Sequence, residues 1–210
     1  MAIIVVGGHS RNVGKTSVVA GLIAALSDYH WTALKITQYG HGICSANGKV
    51  CQCATSDHTW AISEETNRAG KSDTSRFLHA GANRVWWVRT RQSQLARALP
   101  AIRKAIAGSR NVILESNSIL QFLQPDLYLT VLDPSTEDFK KTAAQFLERA
   151  DAIILHGSNN VSWQGVSLNP SQAVFRIQPP PYLTPAIVEF VETRLSKSSE
   201  ASALPRWAGR

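Results

Sequence analysis

The stretch "GGHSRNVGKTS" at residues 7–17 holds glycines, a lysine and two hydroxyls at phosphate-loop spacing, one residue off the common pattern. That pattern places a glycine five residues before the glycine of Gly-Lys-Thr, with its backbone N–H groups around a phosphate. Here His9 stands at that place and Gly8 comes one residue earlier, so five residues separate Gly8 from Gly14. The chemistry this points to is polyphosphate binding. Gly8, Asn12, Val13, Gly14, Lys15, Thr16 and Ser17 are the nucleotide-binding candidates. Lys15 would reach the β/γ-phosphates, and the Thr16 hydroxyl would bind Mg²⁺.

Carboxylates are needed to complete such a site. Glu115 ends the apolar run "NVILE" (111–115) and is followed by small polar residues, as at a Walker B position. It is a Mg²⁺ and catalytic candidate, because parallel strands deliver their ligands at the carboxyl end. Asp73, in "AGKSDTSRF", is the second Mg²⁺ candidate, with helix N-capping as its alternative role. Lys35, in "ALKITQYG", could neutralise charge on a bound or transferred phosphate, alongside Lys15. His9, Thr37 and Gln38 are weaker candidates.

A third group is the segment 41–58, "HGICSANGKVCQCATSDH". Cys44, Cys51 and Cys53 fall within ten residues, flanked by His41 and His58. Thiolates this close could share Zn²⁺ with a histidine, or hold an iron–sulfur cluster with a fourth ligand or across a homodimer. The C-x₆-C-x-C spacing is neither a standard zinc nor a ferredoxin pattern, and unligated thiols in a loop are the alternative.

The elements around these residues alternate strand and helix. "AIIVV" (2–6) is a β-branched apolar run, a buried strand. "TSVVAGLIAALSDY" follows with helical spacing at Val18, Val19, Leu22, Ile23 and Leu26. Strands are expected at 31–36, 83–90, 111–115, 126–133 and 151–156. Helices are expected over "QSQLARALPAIRKAIAG", whose Leu95, Leu99, Ile102 and Ile106 share a face, over 136–150 with a Thr136 cap, and from Thr184–Pro185 onward. This order predicts an α/β fold: a mostly parallel sheet flanked by helices, the three-layer, Rossmann-like arrangement of P-loop NTPases. Residues 1–196 are expected to form a single domain, with 37–68 a long loop lacking periodicity and 197–210 a loose polar tail.

The chain has 210 residues, 44% of them apolar, and a net charge of +7. No apolar run approaches a membrane span, and the first run is short, lacks a basic leader and enters the phosphate loop directly. A cytoplasmic protein is expected, with its cysteines reduced or metal-bound. The positive charge favours anionic partners. Nucleotide and phosphorylated substrate explain it as well as nucleic acid does, and no nucleic-acid motif adds weight.

With the extra residue, "GGHSRNVGKTS" resembles the loop of dethiobiotin synthetase and of the cobyrinic acid amide synthases. Their class also holds nitrogenase iron protein and the signal-recognition GTPases. "AGKSDTSRFLHAGANRVWWV" is similar to molybdopterin-guanine dinucleotide biosynthesis protein B in Gly70, Lys71, Ser72, Asp73, Ala80, Gly81 and Ala82. The order Ser72-Asp73 inverts that family's acid and serine and agrees with dethiobiotin synthetase, whose aspartate binds Mg²⁺. Lys35 resembles a lysine at the corresponding strand end of both. The resemblance covers about residues 1–155 in scattered blocks and does not reach the cysteine segment. It implies an accessory protein of molybdopterin-type cofactor biosynthesis that binds and slowly hydrolyses ATP or GTP with Mg²⁺ and assists a partner enzyme. It implies alternatively an ATP-dependent carboxylate ligase. A metal-carrying NTPase, resting on the cysteines, is the third reading. GTP-specific relatives read guanine with N-K-x-D. Here "IILHGSNN" takes that place, with His156 for the asparagine and Asn159 for the aspartate, which leaves ATP and GTP both open.

Overall fold

The computed structural model describes residues 1–39, 59–157, 163–200 and 206–207. In chain order the elements are β1 (Ile3–Gly8), α1 (Lys15–Ala25), β2 (Trp31–Tyr39), β3 (Trp60–Glu64), α2 (Asp73–His79), β4 (Arg84–Arg91), α3 (Leu95–Ile106) and β5 (Asn111–Glu115). They continue with β6 (Leu123–Gln124), β7 (Leu127–Leu132), α4 (Lys141–Phe146), β8 (Ala152–His156), β9 (Ala173–Ile177), α5 (Pro185–Glu200) and β10 (Arg206–Trp207).

Eight strands form one sheet in the order β3-β4-β2-β5-β1-β7-β8-β9. All neighbours run parallel except β3, which pairs antiparallel with β4. The central strands are covered on both faces, which is why they read as continuous apolar runs. Side chains alternate across a strand. Ile4 and Val6 of β1 therefore face the layer holding Val19 and Leu22 of α1, Phe77 of α2, and Ile187 and Val191 of α5. Ile3 and Val5 face the opposite layer, with Leu95, Leu99, Ile102 and Ile106 of α3 and Phe146 of α4. Each of these apolar side chains contributes about 1.5–3 kcal/mol on burial, so the sheet centre carries much of the fold's stability. This is the expected three-layer α/β fold. No helix among the described residues is long and apolar enough to cross a membrane.

Four expectations need correction. The stretch 37–68 is not wholly a loop: β2 runs on to Tyr39, and Trp60–Glu64 is the edge strand β3. Its exposed Glu64 takes a two-pronged bond from Arg84, at 2.8 and 3.2 Å. A second edge strand, β9, was not expected either; its first four residues alternate between half-buried and exposed, and only Ile177 at its end is buried. The helix expected over 136–150 is reduced to Lys141–Phe146 and a 3₁₀ turn at Leu147–Arg149, and its cap is not Thr136. The backbone of 136–140 is held by other parts of the fold instead. The Thr136 carbonyl accepts from Trp163 Nε1 at 2.9 Å, and Lys140 N donates to the His9 carbonyl at 2.9 Å. Finally, 197–210 is not all tail: α5 continues to Glu200, and Arg206–Trp207 pairs antiparallel with β6.

Candidate functional site

β1 ends in Gly7 and Gly8, and the loop that follows is fastened from three sides. Asn117, two residues beyond β5, accepts from Gly8 N at 2.9 Å and donates to the Gly8 carbonyl at 2.8 Å. A Cβ at Gly8 would come within 2.9 Å of the Val131 carbonyl oxygen, so β7 admits no side chain there. Ser10 Oγ donates to Asp138 at 2.8 Å. His9 is fully buried, with its ring 5.2 Å from Phe139 and 4.9 Å from Trp163, and its Nε2 lies 3.3 Å from the Thr136 carbonyl. Burial lowers its pKa, partly offset by the Thr136 and Val131 backbone contacts. His9, the extra residue of the loop, thus folds inward against Phe139, Trp163 and the Thr136 carbonyl.

Asn12 adopts a left-handed φ of 57°, which asparagine tolerates, and Val13 is buried in the core beneath the loop. Gly14 has φ 90° and caps α1 without a side-chain bond. The first-turn N–H groups of α1 therefore point at the loop mouth, with the positive end of the helix dipole behind them. A Cβ at Gly14 would overlap the Tyr182 ring. Gly14→Ala should cost about 1–2 kcal/mol from the left-handed backbone alone, with more from displacing the ring, and should lower the thermal midpoint.

Five chemistry-bearing side chains converge beside this loop. Parallel pairing of β2 with β5 sets Lys35 opposite Glu115, and β1 sets Val6 opposite the same residue. Thr16 Oγ1 donates to Glu115 Oε2 at 2.8 Å. Lys35 Nζ donates to Glu115 Oε1 at 2.7 Å and lies 2.6 Å from Asp73 Oδ2 and 3.4 Å from Thr16 Oγ1. Lys15 Nζ bends back to the Ser10 carbonyl at 2.5 Å. A threonine hydroxyl and two carboxylates around one cation position form an oxygen donor set that fits a hard divalent ion such as Mg²⁺. Ser17 faces outward from the same turn and accepts from Arg76 of α2 at 2.9 Å.

Burial pushes the Lys15 ammonium down to about 8; Glu115 opposes this, while Lys140 and Lys35 add to it. Polyphosphate would restore the charged form, so binding above about pH 8 should take up a proton and weaken as pH rises. Calorimetric titration in two buffers of different ionisation heat measures the uptake. For the free protein the sign is opposite. The unfolded chain, with its lysine near 10.5, binds more protons than the fold between about 8 and 10.5, so Lys15 makes the fold relatively more stable as pH rises across that window.

Asp73 is not a helix cap. Ser72 is the N-cap of α2 and accepts from Ser75 N at 3.0 Å, which leaves the Asp73 carboxylate to Lys35. The segment carrying both is held by Glu65, which sequence reasoning missed. Glu65 accepts from Asn67 N (3.0 Å), Ser72 Oγ (3.0 Å), Thr74 Oγ1 (2.8 Å) and Ser75 Oγ (3.2 Å). Burial alone would push its carboxyl up, but these donors together hold it below the usual range. Nothing in the local sequence singles out Glu65. Asn117 was signalled faintly by the small polar residues after Glu115. Lys140 was also missed. It is half-buried beside the loop, its pKa lowered by burial first and by Arg11 second.

Other candidates lie apart. Thr37 accepts from Trp87 Nε1 at 3.1 Å, and Gln38 sits opposite Thr90 farther along β2. His156, at the end of β8, places Nδ1 3.6 Å from Asp133 Oδ2, and burial lowers its pKa despite that carboxylate. Asn159, His41, His58, Cys44, Cys51 and Cys53 lie outside the described residues.

No protein-family model and no curated protein matches the sequence. Among solved structures, the chain is similar to the "apo" form of LpxK from Aquifex aeolicus in complex with ATP. Identity there is 20% over 84% of this chain and 53% of that one, with a TM-score of 0.46. The chain therefore spans about half the length of that protein. It is also similar to HypB from Helicobacter pylori in complex with nickel, at 15% identity over 95% of this chain and 88% of that one, with a TM-score of 0.49.

Proposed function

We propose that this protein binds a Mg²⁺–nucleoside triphosphate at the carboxyl ends of β1, β2 and β5 and hydrolyses it slowly, as an accessory protein of molybdopterin-type cofactor assembly. The observation that carries the nucleotide reading is the cluster in which Lys35 contacts Thr16, Asp73 and Glu115 at 2.6–3.4 Å and Thr16 donates to Glu115 at 2.8 Å. This meeting lies at the open N-terminus of α1.

In this reading the N–H groups from Asn12 to Ser17 bind the β-phosphate side of the nucleotide. Lys15 leaves the Ser10 carbonyl and pairs with the β/γ-phosphates. Thr16, Asp73 and Glu115 are the Mg²⁺ donors, and the ion neutralises charge on the phosphates when bound. Glu115 also orients the attacking water. The assignment to cofactor assembly rests on the likeness of the Gly70–Ala82 block to molybdopterin-guanine dinucleotide biosynthesis protein B. The 2.6 Å contact of Lys35 with Asp73 favours a second reading, ATP-dependent activation of a small carboxylate. There Lys35 would stabilise the transferred phosphoryl group.

Product release by the purified protein separates the two. Accessory hydrolysis should run on Mg·ATP or Mg·GTP alone, on the order of 10⁻⁴–10⁻² per second, as in P-loop proteins without a stimulating partner. Release that stays at the blank until a small acid is added would favour the second reading. Release that never exceeds the blank, with any partner acid, would remove both.

A further inference from the structure

We propose that Lys35 is a built-in counter-cation: its ammonium holds the divalent-metal position of the nucleotide site, and the metal enters by exchange with it, carried in on the nucleotide. This deepens the nucleotide reading above and rests on it.

The argument begins with charge. Glu115 and Asp73 direct carboxylate oxygens at one point, and the Glu115 side chain is only 6% exposed. Two carboxylates this close repel unless a cation stands between them, and burial keeps water from screening the repulsion. Lys35 supplies that cation, 2.7 Å from Glu115 and 2.6 Å from Asp73. The third oxygen around it, Thr16 Oγ1 at 3.4 Å, belongs to the phosphate loop itself. The ammonium therefore contacts the same three side chains proposed as the protein's donors to the divalent ion.

An ion arriving alone must either displace the ammonium from two carboxylates or settle against a like charge a few ångströms away. Both are costly, because like charges at such range repel strongly at a partly buried site. A metal arriving on a triphosphate changes the balance, because the displaced ammonium then has phosphate oxygens to pair with. Lysine suits the exchange: its charge is compact and sits on a flexible four-carbon stem. The route out is on the Asp73 side, where the carboxylate is 42% exposed against 18% for Lys35. Arg76 Nη1, 3.9 Å from Asp73 Oδ1, keeps that carboxylate partly compensated during the exchange.

The free protein should therefore ignore divalent metal, and neutralising Lys35 should open the position. The experiment is Mn²⁺ titration followed by electron paramagnetic resonance, without nucleotide, on the parent chain, Lys35→Gln, Lys35→Arg, and Lys35→Gln combined with Asp73→Asn. Lys35→Gln should bind Mn²⁺ about tenfold or more tightly than the parent, as expected when a like charge in contact is removed. Lys35→Arg should behave as the parent, and the double variant should lose the gain. In parallel, millimolar Mg²⁺ should raise the thermal midpoint of Lys35→Gln and leave that of the parent unchanged. A Lys35→Gln chain that folds only with Mg²⁺ supports the exchange. Equal Mn²⁺ affinity in parent and Lys35→Gln would overturn it, as would a variant that stays unfolded at millimolar Mg²⁺. The Mn²⁺ comparison needs no nucleotide. Failure of AMPPNP and GMPPNP to bind any of these chains would be the separate failure of the nucleotide reading.

Discussion

Lys15→Ala should lower triphosphate affinity by roughly tenfold to a hundredfold, because a charge-assisted contact to phosphate is worth about 1.5–3 kcal/mol. The thermal midpoint should hardly fall. In the free protein the partly buried Lys15 ammonium donates to the Ser10 carbonyl, and burial already lowers its pKa to about 8. Removing it relieves a desolvated charge rather than a packed contact. Affinity loss without stability loss is the signature of a ligand-binding lysine. Titration with AMPPNP and GMPPNP beside thermal unfolding measures both. Unchanged affinity would mean that the loop is not the binding site.

Glu115→Gln should reduce turnover far more than binding, on the order of a hundredfold or more, as when a group that positions the attacking water loses its charge. The carboxylate accepts from Lys35 at Oε1 and from Thr16 at Oε2; the amide keeps one acceptor oxygen for Lys35 and turns its NH2 to the Thr16 hydroxyl, which can accept, so the loss of stability should stay within about 1–2 kcal/mol. The same substitution leaves the Lys35 ammonium dependent on Asp73, 2.6 Å away. Single-turnover product formation compared with equilibrium affinity separates the two effects. Equal turnover in variant and parent would remove Glu115 from the chemistry.

The centre of the molecule was legible because one physical signal dominates there. β1, β5 and β8 are short continuous apolar runs covered on both faces of the sheet, and α1 carries its apolar residues at helical spacing. Lys35 and Glu115 were each legible as candidates, but their meeting comes from the parallel register of β2 with β5, with β2 running on past Lys35 to Tyr39. Asp73 was a candidate from its resemblance and lies 2.6 Å from Lys35, while the capping role considered for it belongs to Ser72.

What stayed hidden depends on contacts distant in sequence. The loop's odd spacing made sense once His9 was found under Phe139 and Trp163, 130 and 154 residues later. The strap at 136–140 has helical composition, but its polar groups bond to His9, Ser10 and Trp163, which outweighs intrinsic propensity. β3 and β9 are edge strands, half-solvated and five residues each, with too little apolar periodicity to stand out. Glu65 is invisible locally because its meaning comes from the hydroxyls of Ser72, Thr74 and Ser75 gathered around it.

The most direct test of nucleotide binding is equilibrium titration of the purified chain with AMPPNP and GMPPNP, each with and without Mg²⁺. One saturable site per chain for at least one of the two, clearly tighter with Mg²⁺ and weakened by Lys15→Ala, is the expected result. Absence of saturable binding by either nucleotide with Mg²⁺ present would contradict it.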